Sequence, residues 1–177
     1  MEIVTITYAS AFEEIFKQQD LADAIRTAPR SASAPEEEAV NYYSRGINKG
    51  QKGDFAGAIQ DFSEAIEIKP DYAEAYHKRG LAKGGLAKTP NALAGVIVDY
   101  NKAIELKPEY AEAYYNRGVV KQAKGDFDGA LADYDKAIEL KPDYVLAYDR
   151  RSKLKKARGD FAGAQDDANK TVELKAR

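Results

Sequence analysis

Between residues 111 and 144 the apolar positions fall into two stripes, each with a three-to-four residue spacing. Ala111, Tyr114, Tyr115, Gly118 and Val119 make the first, and Phe127, Ala130, Tyr134, Ala137 and Ile138 the second. This spacing predicts two amphipathic helices. Gly125 and Asp126 between them supply a helix stop and the cap of the next helix, and Pro142 ends the second stripe. The unit is an antiparallel helix pair, and the chain writes it again. Copies run over residues 39–72, 73–110 with four extra residues, and 145–177. A chain that repeats at a period of 34 residues is read as an array, in which no single pair buries its own apolar face.

Small and aromatic residues keep one phase from copy to copy. Gly46, Gly80 and Gly118 recur on the first helix, Ala58 and Ala130 on the second, and Phe62, Tyr100 and Tyr134 beside them. Glycine inside a helix costs roughly 0.5 to 1 kcal/mol relative to alanine, so its recurrence predicts close contact across the pair. Charge keeps the same register. Arg45, Arg79, Arg117 and Arg151 share one phase of the first helices, and Asp61, Asp99, Asp133 and Asp167 one phase of the second. These are expected to pair, and as partly exposed ion pairs each contributes about 0 to 1 kcal/mol. The extra residues of the second copy fall within 84–93, which predicts a longer turn there. In the fourth copy Ser152 replaces the glycine, Ala168 replaces the aromatic and no proline follows. Gln165, Asp166, Asp167, Asn169 and Lys170 then form a polar outer face for a terminal helix, or else the last apolar strip stays open for a second chain.

Residues 1–34 stand outside the repeat. Val4, Ile6 and Tyr8 alternate with Thr5 and Thr7 as in a strand, and Phe12, Ile15, Phe16, Ala22 and Ile25 come at helical spacing. A linker bounded by Pro29 and Pro35 follows, and Ser33 with Glu36, Glu37 and Glu38 reads as a helix start. The expected organisation is an N-terminal segment of an extended lead, an amphipathic helix and a linker over 1–34, and an array over 35–177.

These residues resemble the tetratricopeptide repeat (TPR), whose pattern has an aromatic, a small residue four places on, and later alanine, aromatic, alanine and proline. The first copy matches it with Tyr42, Gly46, Phe55, Ala58, Phe62, Ala65 and Pro70, and the third with Tyr114, Gly118, Phe127, Ala130, Tyr134, Ala137 and Pro142. The second keeps Tyr76, Gly80, Tyr100, Ala103 and Pro108 but has Val96 in an alanine place. The fourth keeps Tyr148, Gly159, Phe161 and Ala164. The resemblance covers residues 39–177 and implies an all-α fold, a right-handed α-solenoid of about four helix-turn-helix repeats plus an N-terminal helix.

Composition narrows the function. The 27 basic and 29 acidic residues nearly cancel, which leaves no overall field to attract nucleic acid or an anionic membrane. The chain has no cysteine and a single histidine, His77, too little for a metal cluster or an oriented nucleophile pair. Its glycines form no phosphate-cradling loop. The expectation is a non-enzyme without cofactor or metal. No apolar run is long enough for a membrane helix and no signal-peptide pattern opens the chain, so a cytoplasmic location is the default expectation. Arg158, Gly159 and Asp160 spell an integrin-type triplet, but Lys52–Phe55 and Lys124–Phe127 show the same place as KGDF. The triplet therefore reads as an inter-helix turn.

The resemblance also implies that the first helix of each pair lines a concave binding surface. On that assignment the groove holds Tyr43, Ile47, His77, Lys78, Leu81, Tyr115, Asn116, Val119, Arg150, Lys153 and Lys156, with Asp149 beside them. An apolar strip then leads to a basic end, suited to a protein or peptide with an acidic group. Some family members clamp a chaperone's terminal carboxylate with Lys, Asn, Asn, Lys and Arg. The matching places here are His77, Leu81, Asn116, Leu146 and Arg150, so only the last asparagine and the arginine survive. The competing expectation is a structural assembly protein that self-associates through its N-terminal segment or its open array ends.

Overall fold

The computed structural model describes residues 34–176 apart from Lys88, Pro90 and Asn91. The strand-like lead and amphipathic helix expected before Ala34 lie outside the described residues. Among the described residues there are eight helices and no strand. They are α1 (Ala34–Gln51), α2 (Phe55–Ile68), α3 (Ala73–Leu86), α4 (Leu93–Leu106), α5 (Ala111–Ala123), α6 (Phe127–Leu140), α7 (Val145–Ala157) and α8 (Phe161–Lys175). They form two compact units, α1 to α4 up to Leu106 and α5 to α8 from Lys107. In the first, α1 packs on α2, α2 on α3 and α3 on α4; in the second, α5 packs on α6, α6 on α7 and α7 on α8.

The first, third and fourth pairs turn at a fixed device. Gly53, Gly125 and Gly159 take φ of 81°, 83° and 85°, which a side chain disfavours. The aspartate that follows caps the next helix: Asp54 accepts from the Gly57 amide at 2.9 Å, Asp126 from Gly129 at 3.0 Å and Asp160 from Gly163 at 2.9 Å. A Cβ on Gly57 would stand 2.2 Å from the Asp54 carboxylate, so cap and glycine form one unit. The longer turn expected in the second copy is present, with residues 87–92 joining α3 to α4 where 52–54 and 124–126 suffice elsewhere.

Inside each pair the recurrent glycine meets the recurrent aromatic. A Cβ on Gly46 would fall 2.7 Å from the Phe62 ring, on Gly80 2.8 Å from Tyr100, and on Gly118 2.8 Å from Tyr134. Phe62, Tyr100 and Tyr134 are fully buried there. The last pair solves the same contact with smaller groups: Ser152 donates its hydroxyl to the Ala164 carbonyl at 2.6 Å.

Candidate functional site

Charged groups on the first helices divide into those tied to a buried carboxylate and those that are not. Four of the arginines are committed. Arg45 holds Asp61 through Nε at 2.9 Å and Nη2 at 2.7 Å, and Arg79 holds Asp99 at 3.1 and 2.7 Å. Arg117 holds Asp133 at 2.9 and 2.7 Å, and Arg151 holds Asp167 at 2.9 and 2.5 Å. A lysine one turn on joins each carboxylate: Lys49, Lys83, Lys121 and Lys155 at 2.9, 2.8, 2.9 and 3.0 Å. The faces of Tyr42, Tyr76, Tyr114 and Tyr148 cover the guanidinium groups at 4.7 to 5.5 Å.

The expected pairs are therefore real, but the surface figure does not apply to them, because all four carboxylates are buried. Removing a cation leaves a buried charge, which costs more than an exposed pair contributes. Burial alone would raise the Asp61 and Asp167 carboxyls; hydrogen bonds from the arginine and lysine outweigh it and hold both below the ordinary 3.8.

The integrin-type triplet is also committed. Arg158 pairs with the Asp128 carboxylate, Gly159 supplies the turn and Asp160 caps α8.

The groove positions behave differently in the two units. In the first, Tyr43, Ile47, His77, Lys78 and Leu81 are all buried. The Tyr43 ring centroid lies 5.7 Å from Phe62 and 4.9 Å from Tyr72, and His77 lies 5.7 Å from Tyr100. In the second unit Tyr115, Asn116 and Val119 are buried, with Tyr115 at 6.0 Å from Tyr134 and 5.1 Å from Tyr144. Eight of the positions expected to line the groove are thus buried, Tyr43 and Tyr115 against the rings of Tyr72 and Tyr144. Sequence reasoning missed Tyr72 and Tyr144, the residues before α3 and α7 that stack on them; their recurrence three residues before each first-helix alanine or its equivalent was the available signal.

The accessible end is on α7. Arg150 is half-buried, and Lys153 and Lys156 are exposed. Burial works to lower the Arg150 pKa, but Tyr115, which accepts a hydrogen bond from it, and the Asp149 charge raise it overall. Asp149 itself is paired with Lys153 at 2.7 Å. Among the described residues Arg150 makes no salt bridge, unlike the neighbouring Arg151. Leu146, at a clamp position, is exposed and carries no charge.

A family model described as tetratricopeptide repeat matches residues 111–144, and one described as TPR repeat matches 51–86 and 92–125. Together they take in half of the 177 residues. Protein FlbA of Caulobacter vibrioides is 31% identical over 86 residues, which are 49% of this chain and 14% of FlbA. An uncharacterised protein of Methanocaldococcus jannaschii is 41% identical over 44 residues, 25% of this chain and 51% of that protein. The chain thus spans about half of one curated relative and a small part of the other.

Among solved structures, MamA superposes with a TM-score of 0.71 at 23% identity, covering 95% of this chain and 86% of that one. The first TPR domain of Spaghetti (RPAP3), bound to the HSP90 peptide SRMEEVD, gives 0.66 at 23% identity, covering 70% and 95%. At these identities the structures speak for the all-α solenoid fold alone. Repeat register, turn chemistry, the glycine–aromatic contact and both family models agree: the chain belongs to the tetratricopeptide-repeat family.

Proposed function

We propose that the chain is a non-catalytic protein-interaction scaffold that captures a peptide or helix bearing an acidic group on its first-helix faces. The observation that carries the reading is Arg150. Four other arginines of the first helices are tied to a buried aspartate, whereas Arg150 sits half-buried against a phenol with Lys153 and Lys156 exposed near it in sequence. A carboxylate from a partner completes that arrangement with charge-assisted hydrogen bonds. Apolar ligand side chains reach Tyr115 and Val119 in the second unit, or Tyr43, Ile47, His77, Lys78 and Leu81 in the first, by displacing the contacts that bury these residues. That displacement lowers apparent affinity, because only the opened fraction binds.

Fluorescence polarisation with labelled SRMEEVD, the peptide printed for the RPAP3 neighbour, tests the reading. Only Asn116 and Arg150 match the chaperone clamp, so binding is expected in the micromolar range or weaker. Arg150→Ala should weaken it about tenfold, the loss of one charged hydrogen-bonding partner. Nanomolar affinity would show that the missing clamp residues do not matter. Affinity indifferent to Arg150 and Lys156, for this peptide and for peptides selected from a displayed 12-residue library, would remove the capture reading.

A further inference from the structure

One lysine of the first unit is enclosed more deeply than the lysines that hold its aspartates. Lys78, at a groove position of α3, is 6% exposed. Lys49 and Lys83 keep 33% of their side chains in water although each is bonded to a buried carboxylate. An ammonium group so enclosed needs a negative group against it. The buried carboxylates of this unit, Asp61 and Asp99, are each already held by an arginine and a lysine. The other groove positions, Tyr43 and Ile47 on α1 and Leu81 on α3, are apolar and buried as well.

We infer that residues 12–25 of the same chain lie along this face, with Asp23 set on Lys78. In the sequence Phe12, Ile15, Phe16, Ala22 and Ile25 form an apolar stripe at helical spacing, and Asp23 falls on it, eleven places after Phe12 and seven after Phe16. A carboxylate within an apolar stripe is costly to bury against hydrocarbon alone. It is matched by a surface that carries an ammonium among apolar groups. The alternative seat for an apolar segment is the edge of α1 that a preceding helix pair would cover. That edge is polar and wet: Asn41 and Asn48 are exposed, and Arg45 keeps 58% of its side chain in water.

The tether is long enough. Ala34 opens α1, and the chain from Ile25 to Ala34 reaches up to about 30 Å when extended. Tyr43 stands about 14 Å along α1 at 1.5 Å of rise per residue. As a helix, residues 12–25 span about 20 Å, against about 27 Å for the 18 residues of α1, so the segment covers the face when it runs back along that helix. Segment and face then bury one another, and a partner that binds the first unit has to displace the segment. No foreign ligand enters the inference, so it stands or falls apart from peptide capture.

Lysine acetylation of the full chain with an N-hydroxysuccinimide ester, read by mass spectrometry, tests it. Lys78 should react about tenfold or more slower than Lys52, which is exposed in a turn. The double variant Phe12→Glu/Phe16→Glu removes two anchors and should raise the Lys78 rate about tenfold. Asp23→Asn should raise it by a similar factor, the loss of one charged hydrogen-bonding partner. Lys83, further along α3 and bound to Asp99, is the control and should not change. Equal rises at Lys78 and Lys83 would mean that the helix pair itself had opened, and would overturn the inference. So would a Lys78 rate indifferent to both variants, which leaves the helices of the unit as its cover, or protection lost on dilution, which seats the segment of a second copy there.

Discussion

The third and fourth helix pairs share one register and fill it in opposite ways. In the third, Gly118 leaves a hollow that the Tyr134 ring occupies, so that even a methyl group would stand 2.8 Å from the ring. In the fourth, Ala168 takes the ring's place and Ser152 the glycine's, and the hydroxyl closes on the Ala164 carbonyl at 2.6 Å. One joint is held by ring volume, the other by a hydrogen bond. The difference teaches that glycine and aromatic are a single interlocking choice, and that changing one alone should cost more than changing both.

The largest break is Tyr134→Ala, which empties a fully buried site and should cost about 3–5 kcal/mol in urea unfolding. The matching Ala168→Gly should cost only about 1 kcal/mol, by helix propensity. Gly118→Ala follows, at about 1–3 kcal/mol for overpacking against Tyr134. As its control, Gly95→Ala on α4, where an added Cβ meets nothing within 4 Å, should gain about 0.8–1 kcal/mol from propensity alone. Equal effects at the two glycines would refute the interlock.

Acid comes next. Asp61 and Asp167 have folded pKa values held below 3.8 by their cations, so the unfolded chain binds protons first as the pH falls. Their contribution is fully present well above pH 4 and is lost as acid carries the solution through 3.8 towards the depressed folded values. Unfolding midpoints at successive pH values should show this loss, and Asp167→Asn should reduce it; an unchanged acid limb in that variant would exclude the aspartate cages as its source. The smallest break is Ser152→Ala, about 1 kcal/mol for one hydrogen bond. The sharpest is Ser152→Gly with Ala168→Tyr, which should rebuild the ring-in-hollow joint with a favourable coupling of about 0.5–3 kcal/mol between the two changes. Additivity would show the pairs to be independent choices.

Helix pairing, turn position and the arginine–aspartate register were legible before any coordinates, because each rests on spacing within one short segment. Gly53, Asp54 and Phe55 declare a turn wherever they stand in the chain. The candidate site was less legible. Tyr43 and Tyr115 have the same phase as residues expected to face a ligand, yet they stack on Tyr72 and Tyr144, which periodicity alone assigns to no helix face. Arg150 and Arg151 are neighbours of identical chemistry, and their sequence positions distinguish them only by phase.

The sequence by itself determined the repeat, the helices and their partners within each pair, since these depend on contacts between residues a few turns apart and on local backbone preference. Tertiary structure decided which side chains remain exposed: it buried the four aspartates and the rings of Tyr43 and Tyr115, and left Arg150, Phe161 and Val172 accessible to different degrees. Exposure is a property of what lies beside a residue in space, and in a chain built from near-identical copies the same residue type at the same phase is covered in one copy and bare in the next.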